Sequence, residues 1–197
     1  MKPEDTLNYY NENAKNFVEG TLNVTFTHIQ DKFLAQLEPG SAILDFGCGS
    51  GRDTKYFIEK GYSVEAVDGS EELCKLASEY TGVEVKQMLF QELSACEKYD
   101  AIWACSSILH LSSSDLKDVM KKMERALKDR GLIYTSFKYG THEGFRNGRY
   151  FIDMTEESLE ALLQEVDGLE VEEMWVTADV RPDRGEEKWL NLFLRKK

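Results

Sequence analysis

The stretch ILDFGCGSGRD, residues 43–53, constrains the fold more than any other part of the chain. An apolar run containing one acid leads into glycines at alternate positions, Gly47, Gly49 and Gly51. The run predicts a buried strand, a tight turn and then a helix. Glycines in such a turn let the backbone approach a ligand closely, because no Cβ atom stands in the way. The stretch therefore predicts a ligand-binding turn at a strand end.

Short apolar runs alternate with amphipathic segments along the whole chain, which predicts βαβ units and a parallel sheet with helices on both faces. The last two strands are joined by a loop, 178–189, which predicts an antiparallel pair at one edge. Gly61 and Gly131 fit helix ends and Ser70 fits a helix start. The predicted strands are 42–46, 63–67, 84–88, 101–104, 132–137, 170–177 and 190–194. The predicted helices are 3–17, 25–37, 52–60, 71–80, 114–128 and 156–165.

Length, charge and cysteine usage narrow the class of protein. The 197 residues suit one domain spanning 1–197. A formal net charge of -12 disfavours nucleic-acid partners, because phosphate backbones would be repelled. The N-terminus has no apolar signal region, and no apolar run is long enough to span a membrane. Four scattered cysteines without a CxxC pair predict no zinc site and reduced thiols, which suit a cytoplasmic protein. We expect a monomer or homodimer.

Two residues of the opening stretch argue against a dinucleotide ligand. The pyrophosphate-binding fingerprint G-x-G-x-x-G, counted from Gly47, needs glycine at position 52, where the chain has Arg52. Asp45 would face a pyrophosphate unfavourably but would suit a ligand with a cationic group. S-adenosylmethionine carries an ammonium, a sulfonium, a ribose and an adenine, and no phosphate. Arg52 and Asp45 therefore argue against a dinucleotide-dependent oxidoreductase and suit S-adenosylmethionine better.

A second acid, Asp68, ends the predicted second strand in the sequence VEAVDG. An acid roughly 20 residues beyond a glycine loop is placed to accept hydrogen bonds from both ribose hydroxyls of a nucleoside. Asp68 thus predicts a ribose at the same strand edge as the glycine turn.

The sequences ILDFGCGSGRDT, VEAVDGS and YDAIWACSSILHLS together resemble the successive motifs of class I S-adenosylmethionine-dependent methyltransferases. The sequences FKYG, RNGRYF and DVRPDRGEEKWLN further resemble small bacterial methyltransferases of the tellurite-resistance type. The resemblance implies a Rossmann-like, seven-stranded, mostly parallel sheet whose last strand is antiparallel. It also implies methyl transfer from S-adenosylmethionine and an N-terminal helical cap, residues 1–40, over the cofactor site.

The resemblance also implies how the cofactor is held. Asp45 would hold the ammonium group, and Asp68, followed by Gly69, would hold the ribose. Tyr10 would close over the methionine carboxylate, with which Arg52 could pair. The other implied contacts are Gly47, Cys48 and Gly49 under the methionine, Met88, Leu89 and Phe90 at the adenine, and Ala104, Cys105 and Ser106 beside the cofactor. The family often has an acid near Leu89, so backbone groups, helped by Gln91 or Glu92, would recognise the adenine here.

His110 follows the fourth predicted strand, close to where the methyl group should lie. As a general base it could take a proton from an acceptor oxygen or nitrogen, and it is the candidate catalytic residue. A histidine packed at a helix start is the alternative interpretation.

Basic and aromatic residues gather in two loops on the predicted active-site side of the sheet. An acidic protein that collects cations at one rim is suited to an anionic acceptor. Surface charges paired with neighbouring acids are the alternative. The residues are Lys138, Tyr139, Arg146, Arg149 and Tyr150 after the fifth strand, and Arg181 and Lys188 between the sixth and seventh strands.

The sequence therefore predicts a methyltransferase that acts on a small, anionic molecule, with S-adenosylmethionine as cofactor and no metal. Two alternatives stay open. The acceptor could be a protein or an RNA, or the chain could bind S-adenosylmethionine without catalysis, since the cofactor motifs would be the same.

Overall fold

A computed structural model describes residues 3–181 and 184–197, in which helices alternate with strands along the chain. The helices are α1 (Pro3–Thr21), α2 (Thr27–Leu34), α3 (Arg52–Glu59), α4 (Glu71–Thr81), α5 (Ser113–Ala126) and α6 (Glu156–Leu163). The strands are β1 (Ala42–Phe46), β2 (Ser63–Asp68), β3 (Val85–Gln87), β4 (Tyr99–Ala104), β5 (Leu127–Lys138), β6 (Glu143–Arg146), β7 (Arg149–Ile152), β8 (Leu169–Ala178) and β9 (Lys188–Lys196).

Seven of these strands form one sheet in the order β3-β2-β1-β4-β5-β9-β8. The strands β3, β2, β1, β4 and β5 run parallel to one another, and β9 is antiparallel to both β5 and β8. The predicted Rossmann-like fold with an antiparallel last strand is confirmed. The chain order reverses between β1 and β4, so the carboxyl ends of these two strands border the crevice where open α/β sheets bind ligands.

Aromatic rings fill the core on one face of the sheet. Trp103 of β4 stacks on Tyr134 of β5 at 4.2 Å between ring centroids, and Phe33 and Phe57 pack against the same indole. All four side chains are fully buried. Each large apolar side chain contributes roughly 1.5–3 kcal/mol on burial, so this cluster helps to fix the central strands that carry the crevice.

The turn signals were right at two positions and wrong at a third. Ser70 caps α4 by accepting a hydrogen bond from Leu73 N at 3.2 Å, and Gly61, with φ of 88°, follows the end of α3. Gly131 does not end a helix, because α5 stops at Ala126 and Gly131 lies inside β5. The register of β5 against β4 shifts across residues 128–131, so strand pairing overrides the helical pattern there.

A two-stranded hairpin, β6–β7, lies where the sequence predicted a loop. Its turn is Asn147–Gly148, with φ of 52° and 77°, the left-handed pair that tight hairpins require. Arg146 and Arg149 are therefore cross-strand partners. Lys138 likewise ends β5 and Lys188 begins β9, so neither lies in the loop to which it was assigned.

Helix α1 forms hydrogen bonds with two separate parts of the chain. Asn11 Oδ1 accepts a hydrogen bond from Ser70 Oγ at 2.7 Å, and Thr6 Oγ1 accepts one from Tyr150 N at 2.9 Å. The helix thus bridges α4 and the hairpin. Residues 1–2 of the predicted cap, and Pro182 and Asp183 of the predicted second loop, lie outside the described residues.

Candidate active site

A cavity of about 950 Å³ opens at the carboxyl edge of the sheet. Of the residues predicted to bind cofactor or acceptor, or to act in catalysis, all line this cavity except two. Ala104 is buried within β4. The backbone carbonyl oxygen of Tyr150 is hydrogen-bonded to His110, and its hydroxyl donates a hydrogen bond to Glu143. The structure therefore brings most of the predicted site residues together in one cavity.

The glycine turn leaves space above its backbone that a side chain at Gly47 or Gly49 would fill. Gly47 and Gly49 have φ of 86° and 56°. A Cβ atom on Gly47 would lie 2.5 Å from Ser107 Cβ, and one on Gly49 would lie 3.0 Å from Phe17 Cε1. Both positions favour glycine for its backbone conformation and for the space it leaves.

Asp68 connects the end of β2 to this turn. Its Oδ2 accepts a hydrogen bond from Gly49 N at 2.9 Å, and its Oδ1 accepts one from Ser70 N at 2.9 Å. Burial raises the pKa of Asp68, while these backbone donors oppose that rise. The carboxyl group therefore fixes the turn and keeps further lone pairs for a ligand.

Asp45, at the floor of the cavity, is 2% exposed. Thr54 Oγ1 donates a hydrogen bond to it at 2.5 Å, and no ion pair with it occurs among the described residues. Burial, reinforced by the negative charge of Asp53, raises the pKa of Asp45 well above its ordinary value. A buried carboxyl group without a cation is suited to bind a cationic ligand group.

Arg52 is already paired with an acid that the sequence did not single out. Its Nε and Nη2 donate to the two oxygens of Asp53 at 2.7 and 3.0 Å. Asp53 also accepts from Gln30 and from the indole of Trp103, at 2.8 and 2.9 Å. A contact from Arg52 to a cofactor carboxylate would have to compete with this buried bidentate pair.

The predicted adenine side is mostly apolar. Phe90 packs edge-on against Phe46 at 4.8 Å between ring centroids, and Leu89 is 40% exposed. The backbone N–H group of Leu89 donates to Glu92 Oε2 at 2.7 Å, whereas Gln91 lines the cavity. Of the two residues expected to help at the adenine, Gln91 is therefore the better placed.

A hydrogen-bonded chain joins three elements above the glycine turn. The Tyr10 hydroxyl lies 2.8 Å from His110 Nε2, and Arg149 Nη1 donates to the same hydroxyl at 3.3 Å. His110 Nδ1 lies 2.6 Å from the Tyr150 carbonyl oxygen. A carbonyl only accepts, so Nδ1 carries the proton and Nε2 accepts from Tyr10.

The cations of the basic rim differ in whether they are paired with acids. Arg146 is paired with Asp153 at 2.7 Å, and Arg181 with Asp179 at 2.5 Å. Lys138 is paired with Glu187, whereas Lys188 is exposed at the start of β9. Arg149 has no acidic partner among the described residues, and its buried Nε there has no hydrogen-bond partner.

Three comparisons with known proteins agree with this geometry. Residues 43–131 match the family model described as a methyltransferase domain. The YqeM protein of Bacillus subtilis, which is named a methyltransferase, is 27% identical over 128 residues, 61% of this chain. The matched segment spans 50% of YqeM. Residues 43–131 are therefore similar to a methyltransferase domain.

Solved structures extend the likeness of the methyltransferase domain over the whole chain. The 1,6-didemethyltoxoflavin-N1-methyltransferase of Burkholderia thailandensis has a TM-score of 0.77 at 22% identity, covering 99% of this chain and 87% of that one. A TehB-like S-adenosylmethionine-dependent methyltransferase of Corynebacterium glutamicum has a TM-score of 0.70 at 19% identity, covering 100% of both chains. At these identities the likeness concerns the fold.

Several residues of the cavity were not predicted. Phe17 lies over Gly49, and Ser136 Oγ accepts a hydrogen bond from Ser106 N at 3.0 Å. Asp153 is the buried partner of Arg146. The hairpin had a local signal, the Asn-Gly pair at 147–148, whereas the contacts of Phe17 with Gly49 and of Ser106 with Ser136 join residues about thirty positions apart.

The described residues 3–181 and 184–197 contain no group of three or more His, Cys, Asp or Glu side chains that could hold a metal ion. In the same part of the chain, no helix has the length and apolar character needed to cross a membrane.

Proposed function

We propose that the protein transfers the methyl group of S-adenosylmethionine to a small, anionic molecule. The observation that carries this proposal is the position of Arg149, a cation without an acidic partner among the described residues, in the same cavity as the glycine turn and the two buried acids. The similarity to methyltransferases supports the activity class, and the charges of the cavity support the acceptor class.

The cavity residues fit the proposed cofactor. The space over Gly47 and Gly49, which a Cβ atom would fill, admits a ligand close to the backbone. Asp45 lacks a cation among the described residues and so suits the ammonium group, and Asp68 offers a carboxylate to the ribose. The Burkholderia and Corynebacterium relatives are S-adenosylmethionine-dependent enzymes or contain S-adenosylhomocysteine, which supports the same cofactor here.

The covering elements support a small acceptor. Helix α1 and the β6–β7 hairpin both border the cavity and are joined by the Thr6–Tyr150 hydrogen bond. To reach the cavity, a protein or RNA chain would have to pass between helix α1 and the hairpin. The crystal structure of the Burkholderia relative contains 1,6-didemethyltoxoflavin, a small molecule, in agreement with this acceptor size.

When bound, S-adenosylmethionine supplies an electrophilic methyl group on a sulfonium. The residues of the chain contribute mainly by aligning the reacting atoms, an effect worth on the order of 7–11 kcal/mol in favourable cases. The glycine turn and Asp68 orient one reactant, and Arg149 orients the other. His110, held neutral with Nε2 as acceptor, provides a group that can receive a proton.

Ligand-dependent stabilisation tests the cofactor assignment. S-adenosylmethionine and S-adenosylhomocysteine should each raise the unfolding temperature, and NAD should not, because only binding to the native state stabilises it. Stabilisation by NAD alone would support the oxidoreductase alternative. Binding without methyl transfer to any acceptor would support the non-catalytic alternative.

Labelled methyl transfer tests the acceptor class. The protein is incubated with methyl-labelled S-adenosylmethionine and a cell lysate divided by molecular size. Label should enter the small-molecule fraction, and within it the anionic compounds. Label in protein or RNA would contradict the proposal.

We also propose a cytoplasmic location, in keeping with the reduced cysteines.

A further inference from the structure

Arg149 of β7 is the most unusual cation of the cavity. Its Nη1 donates to Tyr10 Oη at 3.3 Å, and its Nε is buried without a hydrogen-bond partner among the described residues. The rings of Tyr9, Phe151 and Tyr10 lie 4.6, 5.1 and 5.7 Å from its guanidinium carbon. A buried N–H group of a cation is costly without an acceptor, so the site is built for an incoming oxygen.

The other arginines of the cavity show what Arg149 lacks. Arg52, Arg146 and Arg181 each donate through two nitrogens to both oxygens of a carboxylate, at distances between 2.5 and 3.0 Å. Arg184 lies 3.8 Å from Glu187. Within residues 3–181 and 184–197, no such carboxylate reaches Arg149.

The free edge of this guanidinium indicates the shape of the ligand. Since Nη1 is used by Tyr10, the edge formed by Nε and Nη2 is the one left for a ligand. Two N–H groups in one plane match the two oxygens of a carboxylate. The neighbouring rings favour a flat, aromatic body attached to that carboxylate.

Tyr10 connects this edge to His110. The phenol oxygen accepts from Arg149 and donates to His110 Nε2, which leaves one lone pair for an acceptor X–H group. His110 is fixed in this role because its Nδ1 proton is donated to the Tyr150 carbonyl oxygen at 2.6 Å. A proton reaching the phenol oxygen therefore has a route onward to Nε2.

Resting on the proposed function, we propose that Arg149 binds a carboxylate of the acceptor and that this binding enables Tyr10 to take the acceptor's proton while passing its own to His110. The lone pair of the acceptor atom forms the bond to the methyl carbon. The bond from that carbon to the sulfonium sulfur breaks, with its electrons going to sulfur. The acceptor's proton goes to Tyr10 Oη, and the phenol proton goes to His110 Nε2.

The charges around the pair explain why the carboxylate matters. Removal from water and the cation of Arg149 lower the pKa of His110 to about 4, against the effect of the Tyr150 carbonyl. The Phe151 ring, whose centroid lies 4.8 Å from that of His110, carries no charge. The other charged groups near Tyr10 are Asp68 and Arg181. A carboxylate on Arg149 would cancel its repulsion, so His110 becomes a stronger base only with the acceptor in place.

The experiment uses the full chain saturated with S-adenosylhomocysteine, with sodium benzoate as the probe. Calorimetry gives the benzoate affinity, and NMR of the imidazole nitrogens gives the pKa of His110, one of three histidines. The variants are Arg149→Met and Arg149→Lys, and Arg125→Met on exposed α5 is the matched charge control. Benzamide is the neutral isostere, and inorganic phosphate is the alternative anion.

We expect benzoate to raise the pKa of His110 in the wild type and in Arg125→Met. Its affinity should fall at least about tenfold in Arg149→Met, since a charged pair of hydrogen bonds is lost. Arg149→Lys should also bind benzoate weakly, because it keeps the charge but not the planar edge. Benzamide should neither bind comparably nor move the pKa.

Equal benzoate affinity in Arg149→Met and Arg125→Met would overturn the proposal, as would benzoate binding that leaves the pKa of His110 unmoved. So would no benzoate binding at all, or tighter binding of phosphate. Weaker S-adenosylhomocysteine binding in Arg149→Met would assign the guanidinium to the cofactor's carboxylate instead. Failure of the wild type to bind S-adenosylhomocysteine would refute the proposed function itself, which is a separate result.

Discussion

The Tyr10 hydroxyl lies 2.8 Å from Nε2 of His110 and so ties the first helix to the segment that follows β4. On the same helix, Leu7 comes within 2.7 Å of a Cβ position on Gly69, and Phe17 covers Gly49. The helix thus crosses both the predicted ribose end and the predicted methionine end of the cofactor site. We therefore expect cofactor entry to move α1 and to break these contacts.

Thr6→Val should loosen α1 without changing its shape. Thr6 is buried and accepts the Tyr150 N–H hydrogen bond at 2.9 Å, and valine leaves that donor unsatisfied, at a cost of roughly 1–3 kcal/mol. We expect faster hydrogen exchange of the α1 amides and faster exchange of bound S-adenosylhomocysteine. Thr81→Val, at the end of α4, is the control and should leave α1 unchanged. Unaltered α1 protection in Thr6→Val would show that the helix is held elsewhere.

Asp68→Ala should weaken cofactor binding and leave the fold intact. The substitution removes both the carboxylate offered to the ribose and the acceptor for Gly49 N. Hydrogen bonds to charged groups are worth roughly 1.5–3 kcal/mol, so the S-adenosylhomocysteine affinity should fall tenfold or more. Calorimetry on a variant with wild-type circular dichroism gives the answer. Wild-type affinity in the folded variant would remove Asp68 from the site.

Gly49→Val should abolish cofactor binding more completely than Asp68→Ala. Valine is strained at φ of 56°, and its side chain would meet Phe17 and fill the ligand's space. Gly82→Val is a matched control, since Gly82 has φ of 79° but nothing within 4 Å of its Cβ position. Both variants should lose stability, and only Gly49→Val should lose binding. Retained binding in Gly49→Val would mean that the turn does not face the ligand.

Asp45 should give the free protein an unusual pH dependence. Its pKa is raised in the folded state, so the native protein binds more protons than the unfolded chain, and stability falls as pH rises from the ordinary value through the raised one. Asp45→Asn should therefore be more stable than wild type at pH 8, yet bind S-adenosylhomocysteine more weakly. Asp100→Asn is the contrasting control, because Lys128 and a backbone donor lower the pKa of Asp100. A thermal-melt series from pH 4 to 8 that shows Asp45→Asn less stable throughout would contradict this prediction.

Local signals explain which parts of the fold were predictable. The strand before Gly47 and the strand that ends at Asp68 were predicted correctly, because each strand and the turn after it lie within a few residues in the sequence. Gly131 was misread because its strand is set by pairing with β4, which lies about thirty residues away. The Asn147–Gly148 turn was legible in the sequence but was included in a loop.

Tertiary contacts explain why the chemistry of the rim was less predictable. The sequence shows that arginines are gathered after β5 and before β9, but not which acid each one meets. Asp153 reaches Arg146 across the hairpin, and Asp179 reaches Arg181 within a turn. Arg149, identical in type, meets aromatic rings instead. The difference between a paired and an available cation lies in side-chain placement, which composition does not record.

Arg181 should therefore act on stability, whereas the sequence alone suggested a role in acceptor binding. The Asp179 side chain is 2% exposed and accepts from Arg181 and from Trp189 Nε1. These partners lower the pKa of Asp179 to about 2 against the effect of burial. Because the folded pKa is below the unfolded one, the pair stabilises the protein above the ordinary carboxyl pKa, and this stabilisation is lost as pH falls through about 2.

Arg181→Met would leave that buried carboxylate without its cation. We expect a clear fall in the unfolding temperature at pH 7, and little change in S-adenosylhomocysteine affinity once the protein is folded. The double variant Arg181→Met, Asp179→Asn should recover much of the loss, because no uncompensated charge remains. Thermal melts of the wild type, both single variants and the double variant give the coupling between the two residues. A stable Arg181→Met protein with no coupling to Asp179 would return Arg181 to the acceptor site, next to Arg149.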